Sequence, residues 1–144
     1  MAPLPRPLAV VAVVVAALFV ANGVFMLVRP EAWYYAIDGV PDTGPFNQHF
    51  IRDIGFVYVV TGLGVAAGVT LPTGRVVLWL GAGAWHISHA AFHVWEVIVG
   101  ICGPEALARD FAAVTLPSVV TLGLGLYAWR VARARPSTTT AGAV

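Results

Sequence analysis

Four stretches of about 20 mostly apolar residues, each long enough to cross a bilayer as a helix, constrain this chain more than any other feature. They run from about Leu8 to Val28, Phe50 to Leu71, Val76 to Val99 and Phe111 to Trp129. Lipid offers the backbone no hydrogen-bonding partners, so such stretches fold as helices that satisfy their own amides. The expected fold class is therefore all-α, an integral membrane four-helix bundle. Residues 1–135 form one membrane domain, and the Ser/Thr/Ala-rich tail over residues 136–144 is expected to be disordered. Short connections bearing Pro or Gly separate the later spans, at Pro72 and Gly74 and at Gly103 and Pro104. The first connection, Arg29 to Gln48, is long enough to fold over the mouth of the bundle. A cleavable signal is the competing reading of the first span, because Arg6 precedes the apolar run and Ala21 offers a small residue. That run continues to Val28, beyond the length of a signal core, which favours a retained helix.

Composition agrees. Of 144 residues, 59% are hydrophobic and 10% charged, too few charges to clothe a water-soluble enzyme domain. Disorder needs the opposite balance, and a net charge of +1 provides no field for nucleic acid. The single cysteine, Cys102, excludes an internal disulfide or a paired-thiol redox motif.

Arg6, Arg75, Arg130, Arg133 and Arg135 fall on one side of a four-span arrangement with no acid beside them, which makes that side cytoplasmic and places both termini there. The seven acids, Glu31, Asp38, Asp42, Asp53, Glu96, Glu105 and Asp110, gather on the outer side with Arg29, Arg52 and Arg109. Trp33, Tyr34, Tyr35 and Trp95 are expected in the outer aromatic belt, and Trp79, Tyr127 and Trp129 in the inner one. Gly62, Gly64 and Gly68, Gly81 and Gly83, and Gly123 and Gly125 read as faces for close helix packing. Pro117 is expected to kink the last span, with Ser118 and Thr121 serving the freed backbone groups.

The third span carries the chemistry. His86, His89, His93 and Glu96 are spaced three, four and three apart, so at about 100° per residue they share an arc of roughly 80°. On the second span His49 and Asp53, four apart, share a face, with Asn47 as the helix cap. Antiparallel neighbours bring His49 and Asp53 towards the depth of His93 and Glu96, so all six are candidate metal ligands. Imidazole with carboxylate suits a transition metal ion, namely copper, zinc or iron, and helical bundles build such sites from facing helices. Haem held by His49 and His93 ranks below a bare ion. Arg52 would balance charge, and Cys102 could add a soft ligand at the mouth. Two other readings stay open: a polar network that fixes helix register, and a pathway for protons or a small substrate. An enzyme would perform metal-dependent redox chemistry on a membrane-soluble substrate; a non-enzyme would handle metal or serve as a subunit of a larger complex. The bilayer is the principal partner, with a partner subunit or a homo-oligomer allowed and nucleic acid excluded. Glu105, Arg109 and Asp110 are assigned to an exposed loop and the first turn of the last span.

The pattern Asn47-x-His49-Phe50-Ile51-Arg52-Asp53-x-Gly55, followed by His89-x-x-x-His93-x-x-Glu96, resembles small bacterial four-helix membrane proteins of the broad DoxX-like group over about three spans. The resemblance implies a compact bundle in the cytoplasmic membrane, in a group where some members are subunits of quinone-linked oxidoreductases. It implies the fold and leaves the activity open.

Overall fold

The computed structural model describes residues 4–134, among which every regular element is helical. Arg135 and the tail expected to be disordered lie outside the described residues. The helices are α1 (Arg6–Val28), α2 (Pro30–Ala36), α3 (Gln48–Thr70), α4 (Arg75–Ile98), α5 (Glu105–Asp110) and α6 (Leu116–Arg133), with a 3-10 turn at Val40–Asp42 and a π-turn at Phe111–Thr115. Helix α5, the π-turn and α6 run on as one helical stretch of 29 residues.

Three helical stretches are long and apolar enough to cross a membrane: Arg6–Val28, Gln48–Thr70 and Glu105–Arg133. Helix α4 matches them in length with 24 residues but is not one of the three. It spends hydropathy on Arg75, three histidines and Glu96, the same residues that make it chemically distinct.

Prolines set the breaks. The residue before a proline is steered away from the helical region, and both Arg29 before Pro30 (φ −135°, ψ 59°) and Leu71 before Pro72 (φ −107°, ψ 85°) stand outside it. Asn47 caps α3 as expected, its side chain accepting from the Phe50 amide at 3.1 Å. Arg75 closes the other end of α3. Only 3% exposed, it donates from Nε to the Gly68 carbonyl at 2.6 Å and from Nη2 to the Val69 carbonyl at 3.1 Å, carbonyls that a helix C-terminus leaves without partners.

Small residues let the helices pair closely. Helices α1 and α3 are antiparallel, with Gly23 against Gly55 and Val59 and with Gly62 against Ala16 and Val20. Helices α4 and α6 pair likewise, Gly83 against the Leu122 backbone and Gly125 against Leu80. Close backbone approach of this kind is the packing mode available where no hydrophobic force distinguishes helix from lipid. Of the expected packing glycines, Gly81 and Gly123 face open space instead, because they lie on the opposite sides of α4 and α6. One core cluster joins Ala12, Ala16, Val65, Trp79, Leu124 and Ala128; a second joins Val15, Phe19, Met26, Tyr34, Ile51 and Tyr58.

Three aromatic assignments change. Trp79 is fully buried, its indole N–H donating to the Val65 carbonyl at 2.9 Å, so it is core and not belt. Trp33 donates to the Asn22 side chain at 2.9 Å, and the buried Tyr34 hydroxyl donates to the Gly44 carbonyl at 2.7 Å. These two bonds fold α2 back towards α1 and pin the long first connection. Tyr35, Trp95, Tyr127 and Trp129 are exposed, as a belt requires.

Candidate functional site

Helix α4 aligns His86, His89 and His93 along one side, but the three environments differ. His86 is 1% exposed and forms the deep end. Its ring stacks on Phe19 of α1, with centroids 3.7 Å apart and planes 12° apart, and meets the edge of Tyr58 of α3 at 5.2 Å. Its Nε2 lies 3.0 Å from the Thr61 hydroxyl. That hydroxyl has a single proton, which its own helix claims through the Val57 carbonyl at 2.8 Å. The Thr61 oxygen therefore accepts, and His86 donates from Nε2, which fixes the neutral tautomer.

His89, one turn outward, stacks on Trp85 at 5.3 Å and reaches the edge of Tyr58 at 6.2 Å. The His93 ring follows at 4.8 Å from His89, nearly perpendicular. His93 is half-buried, and its Nδ1 lies 2.8 Å from the Asp110 carboxylate. An ionised carboxylate only accepts, so Nδ1 carries the proton and Nε2 is left as the nitrogen able to take up another. Arg109 holds the same carboxylate from the other side, through Nε at 2.8 Å and Nη2 at 3.3 Å. The loop then closes over Arg109: a Cβ on Gly39 would run into the guanidinium, and the φ of +82° there suits glycine in any case.

The sequence reading missed Asp110 as the partner of His93, assigning it to an exposed first turn. Local geometry explains the difference. Asp110 and the buried Ser118 are eight residues apart, which places them about 80° apart on a regular helix. The π-turn between them absorbs one residue and reduces the offset to about 20°, aiming Asp110 along the buried face. Pro117 is the available cause, since it cannot donate to the carbonyl four residues back and so weakens α-helical register at Phe111–Thr115. Ser118 donates to the Val114 carbonyl at 2.6 Å and Thr121 to the Pro117 carbonyl at 2.7 Å, so both serve the backbone around the proline as expected. A proline after an acid at a span's start is the signal in the sequence, though it does not give the register.

The six expected ligands do not converge. His49 and Asp53 pair with each other at 3.2 Å, but their side chains are 89% and 58% exposed on the outside of α3. Glu96 is buried near the C-terminal end of α4, where its backbone carbonyl accepts from the Ile101 and Cys102 amides. Arg52 pairs with neither acid; its Nε donates to the Leu27 carbonyl at 3.2 Å. Among the described residues no group of three or more His, Cys, Asp or Glu side chains is arranged to hold a metal ion. The reason is rotational: the residues of α3 that face α4 are Tyr58 and Thr61, and His49 and Asp53 lie on another side of that helix. What the helices do bring together is a column running from Arg109 and Asp110 through His93 and His89 to His86 and Thr61. Beyond His86 the interior is the apolar cluster around Val65, Trp79 and Leu124.

No family model matches this chain, and no curated protein or solved structure is significantly similar to it.

Proposed function

We propose that this is an integral membrane protein whose imidazole column exchanges protons between the outer surface and a buried point near the middle of the bilayer. Membrane placement is supported by the three long apolar stretches and by an inverted distribution of polarity. Large apolar side chains such as Val10, Val60, Val77 and Phe56 face outward, while Arg75, His86, Ser118 and Thr121 are buried. Helix α4 packs between α3 and α6 and spans with them, giving four spans with both termini on the cytoplasmic side. Membership of the broad DoxX-like group, implied by the residues around His49 to Gly55, belongs to the same proposal.

The observation that carries the functional reading is the alignment of His93, His89 and His86 along one side of α4, with Asp110 of α5 bonded to His93 at one end and the rings of Trp85 and Tyr58 against both His89 and His86. Ionisable groups inside a membrane are costly and mark proton or substrate routes by default. Imidazoles suit a proton route because each can accept at one nitrogen while releasing from the other. The column reaches the surface at the half-buried His93, and beyond His86 lies the apolar cluster around Val65, Trp79 and Leu124. The column is therefore a half-pathway, suited to supplying or withdrawing protons for a membrane-soluble reactant or a partner subunit.

The test is exchange of the His86 ring N–H with bulk deuterium, followed by nitrogen-resolved NMR on detergent-solubilised protein. His93→Leu and Asp110→Asn are expected to slow that exchange by about a hundredfold, the lower range for a positioned proton-transfer group. Unchanged exchange rejects the relay. In liposomes the chain alone is expected to carry no steady proton current, and a current abolished by His93→Leu would replace the half-pathway with a through-channel. Metal handling, expected from the sequence, has the adjacent His89 and His93 rings in its favour. Stoichiometric copper, zinc or iron in the purified protein, lost in His93→Ala, would establish that reading instead.

A further inference from the structure

A second polar feature lies apart from the column, at the outer end of α1. The chain breaks there at Arg29, and α3 begins alongside, leaving an open surface cavity of about 260 Å³ between Val28–Ala32 on one side and Gln48 and Arg52 on the other. Arg52 is held at its wall by the Nε bond to the Leu27 carbonyl, one of the carbonyls that the end of α1 leaves unsatisfied. Among the described residues neither Arg29 nor Arg52 forms an ion pair, and Glu31 forms none with either. Two guanidinium forks outnumber one carboxylate, so the cavity carries an excess of positive charge and of planar donors. That donor set matches a phosphate group, which an arginine grips through two parallel hydrogen bonds. Directly below, Val24, Phe25 and Val28 of α1 are exposed and apolar. A polar cavity above an apolar strip has the two-part chemistry of a phospholipid.

We propose that Arg29 and Arg52 bind a phosphate group in this cavity, and that a phospholipid headgroup in the outer leaflet is its source. The inference shares the membrane placement argued above but does not depend on the histidine column.

Thermal unfolding of the full chain in detergent tests it. Added phosphatidylglycerol is expected to raise the midpoint saturably, and a diacyl glycolipid of the same chain length without phosphate to leave it unchanged. Arg29→Gln, at a side chain with no hydrogen bond among the described residues, should weaken half-saturation by about tenfold, the loss expected for one charge-assisted contact. Arg52→Gln should do the same, with Arg52→Lys recovering part of the effect. His93→Leu should respond as the unaltered protein does, which separates this site from the relay. Equal responses to the two lipids, or an unchanged half-saturation in Arg29→Gln, would overturn the proposal. Saturation by inorganic phosphate with no further gain from lipid would keep the phosphate site and overturn the lipid as its source.

Discussion

The buried pair of His86 and Thr61 shows how one hydroxyl decides the state of an imidazole. Because the Thr61 proton goes to its own helix, His86 must donate, and removing the acceptor strands an N–H in the core. Thr61→Val is expected to destabilise the protein by about 1 kcal/mol, the scale of an interhelical hydrogen bond in a membrane protein. The double variant Thr61→Val with His86→Leu should recover most of that loss, since removing both partners leaves nothing unsatisfied. Chemical unfolding in detergent followed by helical circular dichroism measures both. At this scale the spacing placed the imidazoles of α4 along one side of their helix, as the structure has them, but it did not bring Asp110 to His93. Spacing along a helix places residues on a face of that helix; it says nothing of how the neighbouring helix is rotated. His49 and Asp53 share a face, and that face is turned outward.

At the scale of the element, the glycines separate packing from mere helical composition. Gly83 has the Leu122 Cα 2.7 Å from where a Cβ would stand, backbone that cannot swing aside, whereas Gly81 meets nothing within 4 Å. Gly83→Val should therefore cost about 1 to 3 kcal/mol through overpacking. Gly81→Ala should gain about 0.5 to 1 kcal/mol by removing a helical glycine. The same unfolding measurement distinguishes them, and equal effects would reject the α4–α6 register. Sequence alone grouped the two residues because they lie two apart in one span. A two-residue step turns the helix by about 200°, so only one of them can face α6. The π-turn is a similar case: Pro117 is plain in the sequence, but the rotation of Asp110 onto the buried side follows from how the backbone accommodates it.

For the whole molecule, the proposed orientation predicts which connections are reachable from each side. Cys102, the one cysteine, lies in the connection between α4 and α5 and is partly accessible. A membrane-impermeant maleimide should label it in intact cells. With Cys102 replaced by Ser, Thr73→Cys in the exposed turn between α3 and α4 should label only after the membrane is opened. The reverse pattern would invert the topology, and with it the direction in which the imidazole column opens.

The helices themselves were determined by the sequence alone. Apolar runs, prolines and the Asn47 cap act locally, through backbone hydrogen bonding and restricted torsions, and the helix ends fall within two residues of the expected positions for the first three spans. The last helical stretch begins earlier, at Glu105, because α5 continues into it through the π-turn. Which side chains meet was left to tertiary structure. Contact between helices depends on their relative rotation and depth, and these follow from close backbone packing at Gly23, Gly55, Gly62, Gly83 and Gly125. That packing turns Tyr58 and Thr61 of α3 towards the histidines of α4, where a carboxylate had been expected, and leaves the acid to come from the start of the last helix.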